Sequence, residues 1–138
     1  MNTTTDNTSR EGGTDSPDTA AGRAEHGTAA WEDAARLQRW ATADHADFYA
    51  LAGEIVATLY ALDDLAQVLH RQVSRYRQGR RLYDDTHQVE PAARLTDAAT
   101  ELAGLLGQLQ AAQVPANRFW SVIGHIGVEP ADAGEVTP

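Results

Sequence analysis

Apolar residues recur at alternating spacings of four and three through residues 48–76: Phe48, Ala52, Ile55, Leu59, Leu62, Ala66, Leu69, Val73 and Tyr76. A helix turns once in about 3.6 residues, so this rhythm holds all of them on one seam. After a non-periodic stretch, Leu95, Ala98, Leu102, Leu105, Leu109 and Ala112 repeat it. Two matched seams joined by a short connector predict an antiparallel helical hairpin with coiled-coil-like packing. One register aligns them: Tyr76 faces Leu95, Val73 faces Ala98, Leu69 faces Leu102, Ala66 faces Leu105, Leu62 faces Leu109 and Leu59 faces Ala112. Small residues meet large ones at several levels, which lets the layers interdigitate as densely as a core requires.

Flanking signals extend the hairpin to a three- or four-helix bundle. A first helix is expected from about Thr28 to Thr42, with Thr28 as N-cap, acidic Glu32 and Asp33 in its first turn, and Trp31, Leu37 and Trp40 on its apolar stripe. Residues 42–47 offer a break, with Asp44 as the next cap. The main helix should then run to about Gln78 and end near Gly79, with residues 80–90 as connector. Pro91 suits the first position of the partner helix, and Pro115 should halt that helix after about Gln113. A short final helix over about 116–125 would carry Phe119, Trp120, Val122 and Ile123. The seam from Phe48 to Ile55 outruns the partner helix, so the final helix, or Trp31 and Trp40, should cover it. Apolar area left bare would need a second chain.

Between Met1 and Trp31 there is no Val, Ile, Leu, Phe, Trp or Tyr. Such a segment cannot bury enough area to offset the entropy of ordering. The expected organisation is a disordered tail over 1–27, an all-α domain over 28–127 and a flexible segment over 128–138. The lack of cysteine excludes disulfides and thiolate zinc sites. A net charge of −9 argues against a surface built throughout for nucleic acid. All eleven basic residues are Arg, as codon bias in a GC-rich bacterial genome would produce. No stretch reads as a secretory signal or approaches the roughly 20 apolar residues of a membrane span, so a cytoplasmic chain without membrane contact is expected.

Few residues carry candidate chemistry. Arg71, Arg75, Arg77, Arg80 and Arg81 lie in a run with no acid between Asp64 and Asp84. They suit an anion, an acidic partner or a nucleic-acid backbone. In the plainer account they complement a helix C-terminus and pair with Asp84, Asp85 and Glu90. Asp84, Asp85, His87 and Glu90 are the only clustered acid–His group, but their spacing matches no calcium loop or di-metal bundle. His45 and His125 sit at helix ends with no ligand-like spacing. Ala99, Ala103, Gly107 and Ala111 form a strip of small residues away from the seam, expected from Ala-rich composition alone. Phe119, Trp120 and Ile123 could dock a partner or cover the long helix.

No nucleophile elbow, phosphate loop or dinucleotide fingerprint is present, so neither an enzyme nor a cofactor is expected. The leading expectation is a non-enzymatic module acting through protein–protein contacts, with a protein partner or a second copy. The runner-up is an anion- or nucleic-acid-associated accessory protein using the Arg run. The helical-hairpin architecture is also similar to that of small type VII secretion substrates. The likeness ends at architecture: residues 80–90 hold no Trp, and the only Tyr-x-x-x-Asp, Tyr60 to Asp64, falls in mid-helix.

Overall fold

The computed structural model describes residues 18–131, so the expected tail at 1–17 and the segment at 132–138 lie outside the described residues. Three helices and no strand occur among the described residues: α1 (Ala20–Trp40), α2 (His45–Arg75) and α3 (Pro91–Ile123). The chain divides into two units, residues 1–42 and 43–138.

The first unit holds α1, which starts eight residues before the expected Thr28. Thr19 caps it, its hydroxyl oxygen accepting from the Gly22 N–H at 3.0 Å. Thr28 is an interior residue whose hydroxyl donates to the Ala24 carbonyl at 3.2 Å. Residues 20–27, expected in the tail, are therefore helical. Absence of apolar side chains limits what a segment can bury; it says nothing against Ala20, Ala21 and Ala24, which have the best intrinsic helix propensity. Leu37 and Trp40 of α1 are exposed.

In the second unit, the expected Asp44 cap is present. Its carboxylate accepts from the Ala46 N–H at 2.9 Å and lies 3.2 Å from His45 Nδ1. From there α2 runs 31 residues, about 46 Å. Turns follow to Gly79, whose φ of +70° suits a residue without a Cβ. Pro91 opens α3 as expected, but Pro115 does not close it. The helix continues to Ile123 and there is no separate final helix. An interior proline costs about 3 kcal/mol, and the packing of the residues beyond it offsets that cost. The Trp120 ring lies against Gly53, where an added Cβ would stand 3.3 Å from it, and its centroid is 5.8 Å from that of Tyr49. The edge of Tyr49 abuts Gly124, and Asn117 Nδ2 donates to the Tyr60 hydroxyl at 3.5 Å. The N-terminal half of α2 thus lies along the C-terminal half of α3. The two helices run antiparallel.

Which residues face the partner differs from the expected seam. On α2 the buried positions are Ala52, Val56 and Ala66, only 1–4% exposed, with Asp63 beside them; Leu59, His70 and Val73 are partly covered. Ile55, Leu62, Leu69 and Tyr76 are instead 40–48% exposed. On α3 the covered column includes Leu95, Ala99, Leu102, Leu106, Leu109, Trp120 and Ile123, while Ala98 and Leu105 are exposed. The expected pairings of Leu69 with Leu102, Leu62 with Leu109 and Ala66 with Leu105 are therefore not made as drawn. Small residues explain the rotation. Ala52, Gly53 and Ala66 let α3 approach closely, and the bulkier Leu62 and Leu69 turn aside.

This contact leaves polar atoms to satisfy. Gln67 Nε2 donates to one oxygen of Asp63 at 2.7 Å. The other oxygen, together with Gln113 Nε2 and Trp120 Nε1, is buried without a partner among the described residues.

The small-residue strip begins partly covered at Ala99 and is open at its glycine. A Cβ added at Gly104 or Gly107 would meet nothing within 4 Å. Each Gly→Ala change should therefore raise stability by about 0.5–1 kcal/mol through helix propensity alone. Urea denaturation will show it, and a loss at either site would mean that the strip is occupied.

Candidate interaction surface

The rotation of the seam creates one open apolar face. On both helices the exposed column sits one residue before a covered one: Leu62 before Asp63 and Leu69 before His70 on α2, Leu105 before Leu106 and Phe119 before Trp120 on α3. One residue is a rotation of about 100°. Because the helices run in opposite directions, equal rotations carry both columns to the same side of the pair. Leu65 and Val68, 41% and 38% exposed, widen the face on α2. The other side is mixed, with a groove in which His70, Ser74, Arg77, Thr96 and Thr100 alternate with Val73, Ala92, Leu95, Ala99 and Ala103.

The structure divides the expected docking residues between two environments. Trp120 and Ile123 are partly covered, with Trp120 against Tyr49 and Gly53, so they serve the α2–α3 contact. Phe119 is 47% exposed and belongs to the open face. Sequence reasoning missed Leu65 and Val68. Leu51 and Leu65 join Ile55, Leu62, Leu69 and Tyr76 of the expected seam in a three–four rhythm of their own, and that is the available signal for Leu65; Val68 has none.

Arg71, Arg75, Arg77, Arg80 and Arg81 are all exposed, and none forms an ion pair among the described residues. Arg80 stacks over the Tyr76 ring, 4.5 Å from its centroid, and donates to the Tyr76 carbonyl at 2.9 Å. Arg71, Arg75 and Arg80 border a shallow groove with Val68, Gln72 and Tyr76, next to the open face.

The expected pairing of this run with Asp84 is not made, because Asp84 serves its own loop. One carboxylate oxygen accepts from Arg94 Nε at 2.9 Å. The other accepts from the Thr86 hydroxyl and from the N–H groups of Gln88 and Val89, at 3.2 and 3.3 Å. The Thr86 bond foremost, then Arg94, hold the carboxyl well below the usual aspartate range, with burial opposing them. A depressed pKa adds stability above the unfolded value, about 3.9, and that share is lost as the pH falls towards the folded value. The melting-temperature gap between wild type and Asp84→Asn should therefore hold constant from about pH 5 to 8 and close below about pH 4. A gap persisting undiminished to pH 2 would contradict this role.

His87, at φ +55°, stacks on Tyr83, and no group of three or more His, Asp or Glu among the described residues is placed to hold a metal ion. No helix among the described residues is long and apolar enough to cross a membrane.

No protein-family model, curated protein or solved structure matches the chain.

Proposed function

We propose that this chain is a non-enzymatic helical module that works by protein–protein contact through the apolar face shared by α2 and α3. The observation that carries this reading is the row Ile55, Leu62, Leu65, Leu69 and Tyr76, half-exposed on one side of a pair whose other side mixes polar and small apolar residues. Continuous apolar rows of this kind mark binding surfaces, whereas single exposed apolar residues are ordinary. Helices of a partner laid on the face would complete a four-helix, coiled-coil-like bundle. A photoreactive residue at position 65 of the full chain should cross-link to a protein, and one at Tyr60, away from the apolar row, should not. Equal capture at both positions, or none at 65, would contradict the proposal.

A second reading has one observation in its favour: the Arg run forms no ion pair among the described residues, and Asp84 is held by Arg94. In that reading Arg71, Arg75 and Arg77 hold an anion or a nucleic-acid backbone. Its signature is DNA binding that weakens steeply with salt and is lost when the three become Gln.

A further inference from the structure

We infer that the occupant of the apolar face is a second copy of this chain, laid antiparallel so that α2 packs on α2 about a two-fold axis between Leu62 and Leu65. The inference rests on the interaction reading above and names the partner. Its first support is that the exposed row complements itself. In one antiparallel register Leu62 meets Leu65 of the second copy, Leu69 meets the partly covered Thr58, Ile55 meets Gln72 and the partly covered Leu51 meets Tyr76. Each pair is repeated by the axis, as a two-fold interface requires.

Charge supplies the second support. Between Arg39 and Arg71 there is no Arg or Lys, while Asp44, Asp47, Glu54 and Asp64 are acidic; from Arg71 to Arg81 the pattern reverses. A parallel copy would set acid on acid at one end and Arg on Arg at the other. The antiparallel copy brings Glu54 within about half a turn of Arg75 of its mate, and Asp47 to the end of the mate's α2, just beyond which Arg80 lies. The basic groove beside Tyr76 thereby receives the acidic end of the other α2. This arrangement also gives the unpaired Arg run its counter-charges, despite an overall charge of −9.

The third support comes from α3, which enters independently. The Gly53–Trp120 and Tyr49–Gly124 contacts fix which residues lie level across the pair. They put the axis near Leu109 on α3. Leu105 then lies within about half a turn of Ala112 of the second copy, and Ala98 within about half a turn of Phe119, large near small. Two helices about 20 Å across, with a row about 38 Å long, present roughly 700 Å². That is close to the roughly 800 Å² per partner of a stable interface.

The chain has no cysteine, which makes the geometry testable in the full-length protein. A mixture of Leu51→Cys and Tyr76→Cys chains, mildly oxidised, should form the mixed disulfide in preference to either homodisulfide. In sedimentation equilibrium the wild type should dimerise. Glu54→Arg and Arg75→Glu should each weaken the dimer about tenfold, two attractive rim pairs having become repulsive. An equal mixture of the two variants should recover wild-type affinity, since both cross-pairs are again opposite. A monomer at every concentration, or dominant 51–51 and 76–76 disulfides, would overturn the inference. If that monomer still cross-links another protein from position 65, the second copy is refuted and the interaction reading survives. If it cross-links nothing, both fall.

Discussion

Replacing Trp120 with Ala should destabilise the α2–α3 unit by about 3 kcal/mol, the lower end for a large aromatic because the ring is only partly covered. Trp120 packs on Tyr49 and Gly53, and it lies beyond Pro115, where local sequence signals end the helix. Its loss removes the contact that holds the last turns of α3 in line. Phe119→Ala, one residue away on the open face, should cost under about 1 kcal/mol in dilute protein, as for a surface site. Urea denaturation of both variants gives the comparison. A similar cost at the two positions would mean that the end of α3 does not anchor on α2 as described.

The second large effect separates the two columns of α2. Ala66→Gln should cost about 3 kcal/mol, because a long side chain overpacks a site 3% exposed and buries an amide. Leu62→Gln, at 44% exposure, should cost about 1 kcal/mol or less when measured dilute. Side-chain size alone predicts the reverse order, since Leu62 offers far more apolar area than Ala66. Thermal or urea unfolding of the pair tests the rotation of the seam directly. Greater damage at Leu62 would restore the register in which it faces Leu109.

Local signals announced much of this fold. The Asp44 cap and Pro91 at the head of α3 are written in short stretches whose chemistry acts within a turn, whereas no Gly or Pro enforces the break that separates α1 from α2. The start of α1 is not legible in hydrophobicity, because residues 20–27 hold no large apolar side chain and only the helix propensity of their alanines marks it. Pro115 misleads because its penalty is local while the compensation is tertiary, supplied by Trp120 packing against Tyr49 and Gly53 of α2. The site shows the same limit. Leu62, Leu69 and Leu105 were recognised as seam residues, but α2 carries adjacent apolar columns and periodicity gives both the same score. Which column meets α3 depends on how closely Ala52, Gly53 and Ala66 let the helices approach, and only the structure shows that.

The most direct test of the open face is thiol labelling of single-cysteine, full-length variants across a range of protein concentrations. Leu62→Cys and Leu69→Cys should react almost as fast as an unfolded chain when the protein is dilute, then become protected as concentration rises and the second copy covers them. Ala52→Cys and Ala66→Cys should stay protected throughout. Protection of positions 62 and 69 at every dilution, or reaction at 66 as fast as at 62, would contradict the account.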